Sequence, residues 1–558
     1  MPSKTTGPRK VEDAFTSLRS CRLNLNGTFR VLGCRPLQLW LLTLVLWLPW
    51  LGNLPLRDWD ESLVATVARS TVARSTLARA GQDPSSWLLA FKWDEAYLNK
   101  PPGLHWLIGG MLQQFGEAEW AIRLMPCLLA SVAVPLLYLL RRALDPSPAD
   151  RGAQQQRESS ALMAALVLMT LLPMARHGRL AMLDGTLVTC SLLLWWGWIS
   201  SRHTHWHALL AGLGSSGVLL LKPPALLGFL LIAIVISAWD RRPWQPAAAA
   251  WLGLGCLPGL SWHGWHGLQR GADALVMWGG QGLSRVAGVV GGNRGAWVMP
   301  ITEVVEGGWP WLLFLPVGIA WAWRHRLQSS GRWELGLLIG SAALVLPLRT
   351  QLPWYSHLLW PPIALLCGEG LSVLLTNGRP RWVGWGIQML GIGSLLLALI
   401  TVLWPQAPDG ASASLVLAGT GLLLGGGGLR QMSPQARRRG LGILLLGWGL
   451  ALLTLWQSQL WLWELNESWD PRPIASRIQQ LPPDAIVELK GPTRPSLGWY
   501  AGRELQRPGA AGPLEHWLIS KKPSPGCLPV RNAPAIQDAT PSEPGTHWKL
   551  WYCQGEQR

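Results

Sequence analysis

Long apolar runs that recur along this chain restrict it to a membrane environment. The first, residues 37–55 ("LQLWLLTLVLWLPWLGNLP"), contains no charged residue, and similar runs follow at short intervals up to residue 463. A helix of about 20 apolar residues crosses the roughly 30 Å hydrocarbon core of a bilayer. Only 14% of the 558 residues are charged, against roughly 25% in soluble proteins. The sequence therefore predicts an all-α polytopic membrane protein.

The positions of the basic residues predict how the chain crosses the membrane. The net charge of +17 could suggest nucleic-acid binding, but the arginines cluster in short segments between apolar runs. This pattern is typical of cytoplasmic loops, so no nucleic-acid partner is predicted. The basic tail 1–36 is then cytoplasmic, and the first span carries residue 56 to the outer face. The basic loops are those at Arg141, Arg241, Arg324, Arg379 and Arg437.

One segment, 101–116 ("PPGLHWLIGGMLQQFG"), leaves the topology open. If it spanned the membrane, every later basic loop would face outward; if it lies in the interface or re-enters, those loops are cytoplasmic. We favour the second alternative, because many loop charges outweigh one short, glycine-rich segment. The count is then about 13 transmembrane helices. The transmembrane region is 37–463, with long outer loops at 56–119 and 263–308, and the tail 464–558 is also outside.

The tail has a different composition from the rest of the chain. It loses the apolar runs, and segments 484–491 and 516–522 have the residue types of strands, with a helix and turn expected over 495–505. We predict a small α/β soluble domain. Cys527 and Cys553 are its only cysteines, and they could pair if the tail faces an oxidising compartment.

Ionisable residues from several segments are predicted at the outer face. The stretch "LRDWDE" (56–61) follows the first span directly. Charged residues at membrane depth are rare and usually functional. Together they would form a cavity lined by acids and bases. The candidate residues are Asp58, Asp60, Glu61, Lys100, Arg179, Asp184, Lys222, Arg285 and Tyr355.

Such a cavity suits a sugar carried on a polyprenyl phosphate. The lipid would lie between helices, while its phosphate needs cations such as Lys and Arg. A carboxylate can accept the proton of an attacking hydroxyl group, and the cations can stabilise the phosphate as it leaves. The chain has no Walker A loop and no strand-flanked GxGxxG motif, which agrees with a donor that is not a nucleotide sugar.

Four motifs carry a resemblance to a known family. "RDWDESLVATVAR" (57–69), "YLNKPPGLHWLIG" (97–109), "RLAMLDG" (179–185) and "LPWYSHLLWPP" (352–362) occur in that order. The chain resembles the GT-C glycosyltransferases that use polyprenyl-phosphate monosaccharides. It is most similar to the bacterial branch of the lipid A aminoarabinose transferase, and more distantly to protein O-mannosyltransferases.

The resemblance implies a role for each matched residue. Asp60 would be the leading catalytic carboxylate, with Glu61 beside it, and Asp184 would line the same cavity. Asp58, Arg179 and Lys222 are placed in that cavity by their predicted position at the outer face and not by the resemblance. The group that would hold the lipid phosphate is Lys100, Arg285 and Tyr355. The implied partners are an undecaprenyl-phosphate-linked sugar, an envelope acceptor (lipid A, a glycan or a protein) and membrane lipids. The implied location is the bacterial inner membrane, with the site on the periplasmic side.

Departures from that branch bear on the cofactor and the sugar. Asn99 stands where the branch has a glutamate of a possible metal site, so neither a metal ion nor another cofactor is predicted. Leu63 and Val64 stand where the aminoarabinose branch usually has arginine and tyrosine. The donor sugar therefore stays open.

Other functions remain possible from the sequence alone. Asp60 and Glu61 could merely cap a helix, since acids favour helix N-termini. Asp94 and Glu95 repeat the Trp-Asp-Glu trio within the same outer loop and could form a rival site. A lipid-linked sugar transporter or flippase is the alternative function, although such proteins place charges near mid-span, often in two symmetric halves.

Overall fold

The computed structural model is mostly helical, and its helices follow the apolar runs of the sequence. It describes residues 34–79, 88–145, 150–241, 245–289, 297–403, 410–458, 460–462, 470–511, 515–522, 524–530, 536–537 and 547–554. The predicted tail 1–36 therefore lies almost wholly outside the described residues.

The first half of the chain forms a bundle of packed helices. Short connections between them keep sequential helices adjacent. The segments are α1 (Arg35–Trp47), α2 (Leu63–Arg79), α3 (Gly103–Phe115), α4 (Glu119–Ser131), α5 (Ala133–Leu144), α6 (Arg151–Thr170), α7 (Leu172–Gly178), α8 (Leu183–Ser200), α9 (Ala208–Leu219), α10 (Pro223–Asp240) and α11 (Pro246–Arg270).

The second half adds helices on the other side of a long loop. They are α12 (Ser284–Ala287), α13 (Met299–Gly307), α14 (Leu315–Arg324), α15 (Ser329–Val345), α16 (Trp360–Asn377), α17 (Trp382–Leu403), α18 (Ala411–Leu429) and α19 (Pro434–Gln457). Each apolar segment predicted to span is thus at least partly helical. In contrast, α3 has only 13 residues, and at about 1.5 Å per residue it is too short to span a bilayer.

Several helices are suited to cross a membrane. Among the described residues, five helices have the required length and apolar composition, or seven if each of two bent pairs is one span. The outward surface of α17 is apolar, with Leu396 at 57% and Leu403 at 73% exposure. Exposed apolar residues along a whole helix are stable only against lipid. The protein therefore crosses the membrane several times, while the predicted count of about 13 spans stays a prediction.

The tail folds into a small mixed sheet with two helices, as the sequence predicted. Its elements are α20 (Arg472–Gln479), β3 (Val487–Leu489), α21 (Pro495–Ala501), β4 (His516–Ser520), β5 (Cys527–Pro529), β6 (Ile536–Gln537) and β7 (His547–Cys553). Strand β3 is parallel to β4, and β4, β5 and β6 pair with β7 in antiparallel fashion. A disulfide joins Cys527 to Cys553.

The tail packs against the segment that follows α1. Trp499 of α21 is 2% exposed and belongs to the main hydrophobic core, while its neighbour Leu497 belongs to the separate core of the tail. A two-stranded hairpin, β1 (Phe91–Lys92) and β2 (Glu95–Ala96), lies beside α2. Because they are in contact, the tail and residues 56–62 lie on the same side of the membrane.

Candidate active site

A single turn of π-helix, Asp58–Ser62, carries the acidic stretch that follows α1. π-helical turns are rare and frequently occur at functional sites. Its three carboxylates contact three different parts of the protein. Asp58 faces the tail, Glu61 is 0% exposed, and Asp60 keeps 19% of its side-chain exposure.

Glu61 is held by partners inside the protein. Its carboxylate accepts hydrogen bonds from Arg123 Nε at 2.8 Å and Nη2 at 2.6 Å, and from the backbone N–H of Ala181 at 2.7 Å and Arg57 at 3.1 Å. Burial by itself would raise the pKa of Glu61, but Arg123 and these hydrogen bonds hold the pKa below its usual value. We therefore assign Glu61 a structural role, because the carboxylate we predicted beside the catalytic one is already occupied.

Two of the residues predicted to line the cavity, Asp58 and Arg179, are bound by other parts of the protein. Asp58 accepts hydrogen bonds from Arg494 Nε at 2.7 Å and from the Ser496 backbone N–H at 3.1 Å, both in the tail. Arg179 is 0% exposed, donates to the Trp47 carbonyl, and stacks over Trp461 at 4.7 Å. The sequence predicted both side chains in the cavity, because the residues that contact them cannot be recognised from the sequence alone.

Of the three carboxylates in this turn, Asp60 makes the weakest contacts with its neighbours. Arg57 Nη2, at 3.5 Å, is its nearest ion-pair partner in the described part of the chain. Desolvation raises the pKa of Asp60 to about 6; Arg57 and Lys222 oppose this shift, and Asp184 and Glu61 add to it. A carboxylate with a pKa close to the working pH is suited to accept a proton.

Asp184 and Lys222, two of the residues predicted for the cavity, form an ion pair whose charges act on Asp60. Lys222 Nζ lies 2.6 Å from Asp184 Oδ1. Lys222 lies in the turn before α10 and Asp184 in the first turn of α8. The pair therefore brings two segments that are distant in sequence to the side of Asp60.

Lys100 forms no ion pair with any residue that the structure describes. Desolvation lowers its pKa to about 7; the charges of Lys222 and Arg285 lower it further, and Asp184 opposes them. The turn that carries Lys100 packs tightly, because Gly103 N donates to Leu220 O at 3.1 Å and a Cβ at Gly103 would lie 2.7 Å from that oxygen. An ammonium held among other cations without a counter-ion is well placed to bind an anion.

Arg285 and Tyr355 complete the cationic side of the site. Arg285 Nη1 donates to the Tyr355 hydroxyl at 2.6 Å, and Lys222 Nζ lies 5.6 Å from the centre of the Tyr355 ring. The Arg285 carbonyl also accepts from the backbone N–H of Thr350 at 3.2 Å. The structure thus brings together Asp60, Lys100, Asp184, Lys222, Arg285 and Tyr355, six of the nine predicted residues.

The sequence reasoning missed two buried arginines that support this site. Arg57 lies next to Asp60, and Arg123 holds Glu61. Arg123 could have been recognised from the sequence, because it is a charged residue inside a predicted membrane span, where such residues are rare. The rival pair, Asp94 and Glu95, differs from the acids of the π-helical turn, because Asp94 is 99% exposed and contacts Arg74 on the surface. No group of three or more His, Cys, Asp or Glu residues suited to a metal was found within the described ranges.

Comparisons with known proteins agree with this architecture. Residues 39–256 match the family model "Dolichyl-phosphate-mannose-protein mannosyltransferase". The undecaprenyl phosphate-α-4-amino-4-deoxy-L-arabinose arabinosyl transferase 1 of Pseudomonas fluorescens is 28% identical over 345 residues, which cover 58% of this chain and 60% of the relative. A Pseudomonas aeruginosa transferase of the same description is 29% identical over 56% of this chain and 57% of its own length. The chain thus aligns with about 60% of the length of these curated relatives.

The fold has a solved counterpart. The crystal structure of ArnT from Cupriavidus metallidurans bound to undecaprenyl phosphate has a TM-score of 0.68 with 15% sequence identity, and the match covers 92% of this chain and 97% of ArnT. Its structure in the apo state gives a TM-score of 0.67. The chain therefore shares the fold of ArnT.

Proposed function

We propose that the protein transfers a monosaccharide from a polyprenyl-phosphate donor to an acceptor of the cell envelope. One observation carries the proposal. Asp60, an accessible carboxylate, lies within electrostatic reach of Lys222, while Lys100, which has no ion-pair partner among the described residues, lies within reach of both Lys222 and Arg285. A base and an unoccupied phosphate-binding cation in one cavity are what this reaction requires.

Each residue then has a defined task. The acceptor hydroxyl loses its proton to Asp60, or is oriented by it, while its oxygen forms a bond to the anomeric carbon. The bond between that carbon and the phosphate oxygen breaks, and the polyprenyl phosphate leaves with the additional negative charge. Lys100, Arg285 and Tyr355 bind the phosphate and stabilise this charge. The ion pair of Asp184 and Lys222 lies within electrostatic reach of both Asp60 and Lys100.

We further propose that the site lies on the periplasmic side of a bacterial inner membrane. The basic loops of the sequence favour this orientation. The Cys527–Cys553 disulfide supports it, because disulfides persist in oxidising compartments, and the tail lies on the same side as Asp58. In this arrangement residues 1–36 are a cytoplasmic tail, 37–463 the transmembrane glycosyltransferase domain, and 464–558 a periplasmic domain.

A transfer assay tests the proposal. Purified protein in liposomes receives radiolabelled undecaprenyl-phosphate sugars, aminoarabinose among them because the curated relatives are named for it, and an envelope extract as acceptor. Label that joins lipid A, a glycan or a protein supports the proposal and identifies the donor. Label that crosses the bilayer without joining an acceptor contradicts it and favours the transporter.

Lys100→Met should weaken donor binding. Removing a charge-assisted hydrogen bond to a phosphate costs about 1.5–3 kcal/mol, so affinity for undecaprenyl phosphate should fall by roughly 10- to 100-fold. Lys92→Met is the matched control, because Lys92 forms a surface ion pair with Glu504 at 3.7 Å. Titration of both variants with undecaprenyl phosphate measures the effect. Equal affinities would remove Lys100 from the phosphate site.

The pH profile of kcat/KM should be a narrow bell, because this ratio reports the ionisation of the free enzyme. Asp60 must be ionised, so activity should fall as the pH drops through about 6. Lys100 must be protonated, so activity should fall again as the pH rises through about 7. Bound phosphate stabilises the ammonium, so the alkaline limb of kcat should lie higher. A kcat/KM that is flat from pH 5 to 8 would contradict both assignments.

A further inference from the structure

The tail contacts the turn of π-helix that carries Asp60. Arg494 Nε donates to Asp58 Oδ2 at 2.7 Å, and both side chains are nearly buried, with 5% and 7% exposure. The backbone N–H of Ser496 donates to Asp58 Oδ1 at 3.1 Å, and the Ser496 hydroxyl donates to the same oxygen. The tail therefore contacts both oxygens of the carboxylate two residues before Asp60.

A second set of contacts fixes the backbone on either side of this turn. The Tyr500 hydroxyl accepts from the Leu56 backbone N–H at 2.9 Å and donates to Glu119 at 3.0 Å. Arg69 of α2 stacks over Trp499 at 4.3 Å and donates to its carbonyl at 3.2 Å. Helix α21 thus contacts the chain before, within and after the Asp60 turn.

We propose that the tail is a positioning element for the transfer reaction, in which Arg494 and Ser496 hold Asp58 and thereby fix the carboxylate of Asp60 in the cavity. The inference rests on the proposed function. A displacement of about 1 Å in a reacting group can lower a rate by up to 100-fold. The turn has only five residues, so a shift at Asp58 is carried to Asp60. The phosphate-binding residues lie on other segments and should not move.

Arg494→Gln tests the inference, with Ser496→Ala as a milder second variant if the first does not fold. We expect kcat to fall at least about tenfold while KM for the donor changes little. Arg472→Gln is the matched control. Arg472 also reaches from the tail to Glu119, at 3.7 Å, but it is 43% exposed and does not touch the turn. Arg494→Lys should restore part of the rate.

The acidic limb of kcat/KM provides a readout that general destabilisation would not move. The charged groups that face Asp60 are Arg57, Glu61, Asp184 and Lys222. In Arg494→Gln, Asp58 loses its counter-ion and adds a negative charge beside Asp60, so the limb should move to higher pH. Asp58→Asn should lower kcat without moving the limb to higher pH, because it breaks the ion pair and leaves only the positive charge of Arg494 uncompensated.

Hydrogen exchange decides the contact independently of turnover. In Arg494→Gln, exchange should speed up in the peptide 56–66 and stay unchanged in α17, which packs against α18. Faster exchange together with a lower kcat supports the inference. An inactive wild type would contradict the proposed function, while exchange would still report whether the tail holds the turn. Unchanged exchange and a kcat within twofold of wild type would overturn the positioning role.

Discussion

Asp60→Asn should lower the transfer rate by about 100-fold or more, because general-base catalysis is worth roughly 10²–10⁴-fold. The amide keeps the shape and the possible contact with Arg57, but it cannot accept a proton. Donor binding should change little, since the phosphate is held by Lys100 and its neighbours. The measurement is single-turnover transfer of labelled sugar by equal amounts of folded protein.

Asp94→Asn is the control for that experiment. Asp94 stands in the second Trp-Asp-Glu trio of the same outer loop, and its carboxylate is 99% exposed. We expect transfer within about twofold of wild type, because an exposed surface pair contributes little. If Asp94→Asn lost most of the transfer rate while Asp60→Asn stayed active, the catalytic carboxylate would be Asp94 and not Asp60. Equal activity in both variants would remove the catalytic assignment from either.

Arg123→Met should destabilise the protein by about 3–5 kcal/mol, since breaking a buried ion pair leaves an uncompensated charge. Arg123 and Glu61 are both 0% exposed. Arg123 also donates to the carbonyls of Leu51 at 3.0 Å and Leu54 at 2.8 Å. The substitution therefore releases the end of the first membrane segment and the Asp60 turn together. Unfolding in mixed micelles measures the loss.

Two further variants sharpen this test. Arg123→Met with Glu61→Gln should recover part of the stability, because the remaining amide carries no charge and its single oxygen can still accept from the backbone N–H of Ala181 or of Arg57. Arg438→Met, at an exposed position of α19, should unfold like the wild type. If Arg123→Met were as stable as Arg438→Met, the Glu61–Arg123 pair would not be what holds the turn.

The apolar pattern of the sequence was sufficient to predict the fold, because the required helix length follows from the thickness of the bilayer. For the site, the short motifs predicted Asp60, Lys100 and Asp184, and the structure places Asp184 within electrostatic reach of the other two. The sequence predicted that Glu61 acts beside the catalytic Asp60, because an acidic residue is evident in a sequence. Its partner Arg123 lies inside an apolar run and was not recognised. The role of Asp58 depends on Arg494, which is 436 residues away. Pairs so distant leave no local pattern in one sequence.

The separation of Asp58 and Arg494 also has a consequence for biogenesis. Because the two residues are 436 positions apart, the second partner leaves the ribosome roughly 20–90 s after the first, at about 5–20 residues per second. During that interval the membrane helices can insert, but Asp58 in the acidic turn does not yet have its contact with Arg494. The tail therefore completes a structure that began with the acidic turn. Nascent or prematurely terminated chains would occupy the membrane without an assembled reaction centre.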